Sequence, residues 1–151
     1  MSDPQPLQGE RYRRTAETAL DVLLELDPVW ATSLGDHRHD DRLADVSAAG
    51  ITHALGLLGD ATGALDDLDD SELDAEDRVD LELLRARLTA QAWTVNELAE
   101  QTWDPLVTLP GNAIYGLVSR DTGEPDERAR ALAARLRALP GQLAAVRAHL
   151  A

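Results

Sequence analysis

Asp74-Ala75-Glu76-Asp77-Arg78-Val79-Asp80-Leu81-Glu82-Leu83-Leu84-Arg85-Ala86-Arg87-Leu88-Thr89-Ala90-Gln91-Ala92 is the stretch that decides the fold. Leu81, Leu84, Leu88 and Ala92, followed by Val95 and Leu98, recur at the three- and four-residue intervals that align one face of an α-helix. Asp74 stands at the N-cap position with Asp77 three residues on, and acids in a first turn are favoured by the positive end of the helix. The pattern predicts one long helix reaching about Gln101. Trp103-Asp104-Pro105-Leu106 then ends it, because a proline steers the residue before it away from helical backbone.

Working upstream, Ile51, Leu55, Leu58, Leu65 and Leu68 predict a helix opening near Ser47. Gly56, Gly59 and Gly63 lie inside it, each costing up to ~1 kcal/mol relative to Ala, so it is expected to be the weakest helix unless the glycines serve close packing. The polar stretch from Asp36 to Asp45 reads as a loop. Before it, Asp27 caps a short helix with Pro28 in its first turn, and Gly35 stops that helix after Trp30 and Leu34. Tyr12, Ala16, Ala19, Leu20, Leu23 and Leu24 place an apolar stripe on a first helix from about Glu10 to Leu26. Residues 1–9 read as a disordered leader, and 10–151 as a single helical domain.

Downstream, Pro110-Gly111-Asn112 extends a loop into a short helix from Ala113 to Ser119. Pro125 opens the last helix, in which Leu132, Leu136, Leu139, Leu143, Val146 and Leu150 alternate by four and three. Pro140-Gly141 is expected to kink or split it. The stripe covers too few heptads for a coiled coil, so antiparallel packing on the earlier helices is the better reading. Because the sequence stops at Ala151 in mid-period, without a capping glycine or polar tail, this leucine face reads as unfinished. The whole predicts an all-α, antiparallel bundle of about five to seven helices.

Composition agrees. At 151 residues, 44% hydrophobic and 28% charged, the chain can build one core, and aromatics at 3% with no Phe leave Leu and Ala to fill it. A formal charge of -14, with no basic patch, argues against nucleic-acid binding. No Cys is present, which removes disulfide and thiolate chemistry. The polar start does not resemble a signal peptide and no apolar run approaches the ~20 residues of a membrane span, so no membrane partner is expected and the cytoplasm is the expected location.

The richest chemical cluster is Gly35-Asp36-His37-Arg38-His39-Asp40-Asp41-Arg42-Leu43-Ala44-Asp45. His37, His39, Asp36, Asp40 and Asp41 are the candidate metal ligands or acid-base groups. Against that use, the two histidines are two residues apart, and the carboxylates pair as readily with Arg38 and Arg42. A structural loop is the preferred reading. In the acidic run from Asp66 to Glu82, Asp67, Asp69 and Ser71 have calcium-loop spacing, but Glu72 stands where Gly is needed and Arg78 where a bidentate Glu is needed. A solvated helix start fits better. Trp30, Trp93 and Trp103 suit core anchoring more than a ligand cage, and His53 and His149 have no clustered partner. No His-Glu zinc motif, phosphate loop or nucleophile elbow occurs.

Taken together, Leu26-Asp27-Pro28-Val29-Trp30-Ala31-Thr32-Ser33-Leu34-Gly35-Asp36-His37-Arg38 and Asp40-Asp41-Arg42-Leu43-Ala44-Asp45 resemble the opening of the bacterial domain-of-unknown-function family 885 (DUF885). Glu76-Asp77-Arg78-Val79-Asp80, Leu83-Leu84-Arg85, Trp103-Asp104-Pro105-Leu106 and Ile114-Tyr115-Gly116-Leu117 follow in the family's order. The resemblance implies a mostly helical protein of several hundred residues that looks like a zinc-dependent peptidase, with its His-Glu motif beyond the part matched. It further implies that this chain is a non-catalytic N-terminal segment without the metal ligands, so no cofactor is expected in it. Its expected partner is a C-terminal catalytic portion, or a second copy through the Leu132 to Leu150 face. A stand-alone helical interaction module and a small metal-dependent enzyme using the Asp36 to Asp45 loop are the competing readings.

Overall fold

A computed structural model describes residues 8–120 and 124–150 of the chain. Most of the expected leader, residues 1–7, lies outside them. Six α-helices account for the fold: α1 (Gln8–Leu26), α2 (Pro28–Leu34), α3 (Ala48–Asp66), α4 (Ala75–Trp93), α5 (Gly111–Ser119) and α6 (Pro125–His149). No strand occurs among the described residues, and the molecule is an all-α bundle.

The first layer is α1, α3 and α4, which pack on one another. Tyr12 near the start of α1 lies within electrostatic reach of Asp74, Asp77 and Asp80 at the start of α4, so these two helices run the same way with α3 reversed beside them. Burial, followed by those acids, pushes the Tyr12 phenol pKa up. Tyr12, Ala19 and Leu23 from α1, Leu58, Ala61 and Leu65 from α3, and Leu81 and Leu88 from α4 make the core, extended by Leu68 and Leu73 from the connection. Each position belongs to a stripe legible in the sequence. Leu20 is the exception in α1, nearly half exposed on the rim of a groove that Leu83 also lines.

Caps fix where these helices begin. Asp74 accepts from the amides of Glu76 and Asp77 at 2.9 Å each, Ser47 accepts from Gly50 at 3.1 Å, and Asp27 accepts from Trp30 at 2.9 Å. Each side-chain oxygen satisfies donors that the first helical turn leaves without partners. Gly35 closes α2 at φ 91°, a left-handed conformation that glycine adopts without steric cost.

The glycines of α3 divide in two. A Cβ at Gly56, Gly59 or Gly63 meets nothing within 4 Å, so close packing is not their reason. Gly50 is different: a Cβ there collides with the backbone carbonyl and carboxyl of Asp45, and only glycine lets the loop lie this close to the helix.

α4 departs from the sequence reading at its end. Regular α-helix stops at Trp93, continues as one π-helical turn over Thr94–Leu98, and breaks at Ala99, which sits at φ 46°. The helix therefore ends before Pro105, at a left-handed alanine rather than at the proline. Short 3-10 turns at Glu100–Thr102 and Pro105–Val107 carry the chain to α5. Thr94 and Val95 of the π turn face the 106–110 segment across a cavity of about 520 Å³.

The second layer is α2, α5 and α6. α6 runs unbroken for 25 residues with Pro140 inside it, so the expected split does not occur. Nor is the leucine stripe the face it buries. Ala131, Arg135 and Val146 are buried, whereas Leu136, Leu143 and Leu150 are 47%, 42% and 39% exposed. α6 thus turns its alanine-and-arginine side to α5 and α2 and leaves most of its leucines toward solvent.

Candidate functional site

Where α2, α5 and α6 meet, the Arg135 guanidinium is 1% exposed. It donates to the Ala113 carbonyl of α5 at 2.7 Å, to the Thr32 hydroxyl of α2 at 2.9 Å and, more distantly, to the Pro28 carbonyl at 3.4 Å. Thr32 is buried as well. Its hydroxyl lies 2.6 Å from a carboxylate oxygen of Asp40 and 2.8 Å from the Pro28 carbonyl, two acceptors that share its single proton. The other Asp40 oxygen faces His37 Nδ1 at 2.8 Å. A line of polar contacts therefore runs from the buried guanidinium through a hydroxyl and a carboxylate to an imidazole at the surface.

The remaining residues of this loop are held by arginines. Asp36 accepts from the Arg38 backbone amide at 3.0 Å and from its side chain at 2.6 to 3.0 Å, and Arg38 reaches Asp21 of α1 at 2.7 Å. Hydrogen bonds from Arg38 hold the Asp36 carboxyl at a pKa of about 2 and push the Arg38 guanidinium up. His39 contacts Arg42, which extends toward Glu25 at 3.5 Å. Asp41 is exposed. Asp45 accepts from the Ser47 amide at 2.9 Å, and hydrogen bonding to Ser47 lowers its pKa.

The five candidate ligands are thus parcelled out rather than gathered. His37 and Asp40 form one pair, His39 turns to Arg42, and Asp36 turns to Arg38. Among the described residues no three His, Cys, Asp or Glu side chains are grouped to hold a metal ion. What the loop offers chemically is a carboxylate-oriented imidazole, half in solvent, able to take up or release a proton. It faces the first turns of α6 across a cleft of about 530 Å³ lined by Arg130, Arg137 and Glu127.

The other singled-out residues lie elsewhere. Trp30 packs at the edge of the core with the Arg87 guanidinium 5.5 Å from its ring. Trp93 and Trp103 are both more than half exposed, which corrects the expectation that they anchor the core; Trp103 spends its indole N–H on the Leu98 carbonyl at 3.0 Å. Asp104 caps the turn that Pro105 begins, accepting from Leu106 at 2.9 Å. Tyr115 is exposed on α5. In the acidic run, Asp69 caps the turn at Asp70–Glu72, and Asp66 pairs with Arg85 at 3.0 Å. His149 contacts the Val46 carbonyl at 2.6 Å, tying the end of α6 to the loop before α3.

Arg135 escaped the sequence reading because it sits among leucines and was passed over in favour of them. The signal was the neighbouring stripe: Ala131, Arg135, Leu139, Gln142 and Val146 also recur at helical spacing, with small residues at one end.

Among the described residues no helix is long and apolar enough to cross a membrane. Comparison with curated proteins finds no match. A solved structure from Shewanella oneidensis, described as a candidate lipoprotein of unknown function, superimposes with a TM-score of 0.85 at 23% identity, over 93% of this chain and 26% of that one. This chain spans about a quarter of the length of that solved relative, and the likeness shows a shared fold. The sequence profile of DUF885, described as a bacterial protein of unknown function, matches residues 28–151. With that match covering most of its length, the chain belongs to the DUF885 family.

Proposed function

We propose that this chain serves as a non-catalytic helical segment of a larger DUF885 architecture, contributing walls around a site that other parts of that architecture complete. The observation that carries the reading is the coverage of the solved relative: nearly all of this chain superimposes on about a quarter of that protein. The exposed leucines at 136, 143 and 150 support it, since a helix in a self-contained bundle turns such a face inward. The finer reading, that the complete architecture is a zinc-dependent peptidase and that this segment is its N-terminal part, rests on the resemblance of the sequence motifs. The parcelled-out Asp36 to Asp45 loop favours a structural role for that segment over a metal centre of its own.

The test is direct. The purified chain, supplied with zinc and a mixture of unstructured peptides, is expected to hydrolyse none of them, and zinc-dependent cleavage overturns the reading. Light scattering across a concentration series separates the alternative of a self-associating interaction module, which predicts a defined dimer that Leu143→Glu dissociates.

A further inference from the structure

Arg135 presents an imbalance that the fold leaves standing. Its charge is taken out of water, yet all three of its acceptors are neutral oxygens: two carbonyls and a hydroxyl. Among the described residues no carboxylate lies within ion-pair distance of it, and its Nε–H is buried without an acceptor. Burial pulls its pKa down, partly offset by the more distant Asp40, Asp41 and Asp27. Buried charges are ordinarily paired, and a buried donor without a partner calls for a physical reason.

The same side chain lines a pocket of about 360 Å³ between α2 and α5. Arg120 lines it too, reaching the Ser33 carbonyl at 3.4 Å. Trp30 and Val29 supply apolar wall, and Tyr115 and Asn112 stand on the α5 side. Asp27 is the carboxylate of the lining, and one of its oxygens is already engaged by the Trp30 amide. Two guanidiniums against one committed carboxylate leave this pocket cationic in a chain whose formal charge is -14. A pocket near the lower end of the ligand-site size range, walled by an aromatic ring and carrying a buried cation, suits a small apolar anion. A guanidinium is moreover built to bind carboxylates through parallel N–H donors.

We propose that this pocket binds a carboxylate carried on a small apolar or aromatic body, with Arg135 as the buried anchor and Arg120 as the outer clamp. The inference is independent of the proposed function, because it concerns the charge balance of residues within this chain. A carboxylate of this kind comes either from a free small molecule or from an acidic side chain of a docked polypeptide, and the observations favour the first, since the aromatic wall matches an aryl or alkyl body.

Benzoate is the probe, with benzamide as its neutral isostere and N-acetylglutamate methylamide as the side-chain mimic. In the full chain labelled with ¹⁵N at arginine, benzoate is expected to shift the Arg135 Nε–H resonance saturably while benzamide leaves it in place. Arg120→Gln, an exposed change that leaves Arg135 untouched, is expected to weaken benzoate binding by about tenfold or more, the loss of one charge-assisted contact. Tighter binding of benzoate than of the glutamate mimic upholds the small-molecule assignment, and the reverse order overturns it in favour of an acidic side chain. Absence of a saturable benzoate shift, an equal response to benzamide, or benzoate affinity undiminished in Arg120→Gln overturns the site altogether. Peptidase assays do not enter these outcomes, so failure here and failure of the proposed function are told apart.

Discussion

Arg135 of α6 donates to the hydroxyl of Thr32 in α2 at 2.9 Å, joining residues 103 positions apart in sequence. Through this contact the last helix is locked to the second, and Thr32 passes the constraint to Asp40 in the loop that follows. Removing the hydroxyl while keeping the shape tests how much the junction matters. Thr32→Val leaves both a buried guanidinium and a carboxylate short of a partner and is expected to cost about 1 to 3 kcal/mol in urea denaturation. Thr32→Ser keeps the hydroxyl and is expected to retain most of the stability.

The Asp36 carboxyl, held by Arg38 at about 2, titrates below its usual value of 3.8. Its contribution to stability is fully present above the unfolded value and is lost as pH falls through the folded one, in the window from about 4 down to 2. A carboxyl-detected NMR titration is expected to place its midpoint near 2. In Arg38→Gln the midpoint is expected to return toward the ordinary carboxylate range, and an unchanged midpoint refutes the assignment to Arg38.

Glycines nine positions apart in α3 are expected to respond in opposite directions. Gly59→Ala adds a methyl into open space on an exposed helical position and is expected to stabilise the chain by roughly 0.5 to 1 kcal/mol. Gly50→Ala drives a methyl into the Asp45 backbone and is expected to destabilise it by more than that. Thermal melts of the two variants against the parent settle both signs.

Asp74 holds two amides at the start of α4. Asp74→Ala is expected to cost about 1 kcal/mol and Asp74→Ser much less, since serine caps nearly as well. Equal losses from the two substitutions in chemical denaturation count against a capping role.

Helix existence was legible in the sequence because it depends on local periodicity and caps. Asp27, Ser47 and Asp74 are N-caps where the pattern places them, and Leu58, Leu65, Leu81 and Leu88 are the buried centre. What periodicity misjudged was which face of α6 turns inward. Leucine is the stronger apolar signal, but alanines at 131 and 134 let α6 approach its neighbours closely enough for Arg135 to reach the Ala113 carbonyl, a choice made by tertiary packing. The end of α4 was misplaced for a related reason: Pro105 was the visible breaker, whereas the π turn and the left-handed Ala99 leave no composition mark. Of the candidate site, the loop residues were legible by their chemistry. Their pairing was not, because whether His39 meets Asp41 or Arg42 is decided by backbone turns that carry no apolar pattern.

The π turn at Thr94–Leu98 makes the length of this segment a geometric setting. A wider turn takes up one residue more than regular helix, and each residue of α-helix advances the chain by about 100° around its axis. Deleting a single residue there lets α4 run on regularly and swings everything that follows by nearly a third of a revolution. Trp103 and the 106–110 strip then leave the rim of the cavity they share with Val95, although no side chain in that strip has been altered.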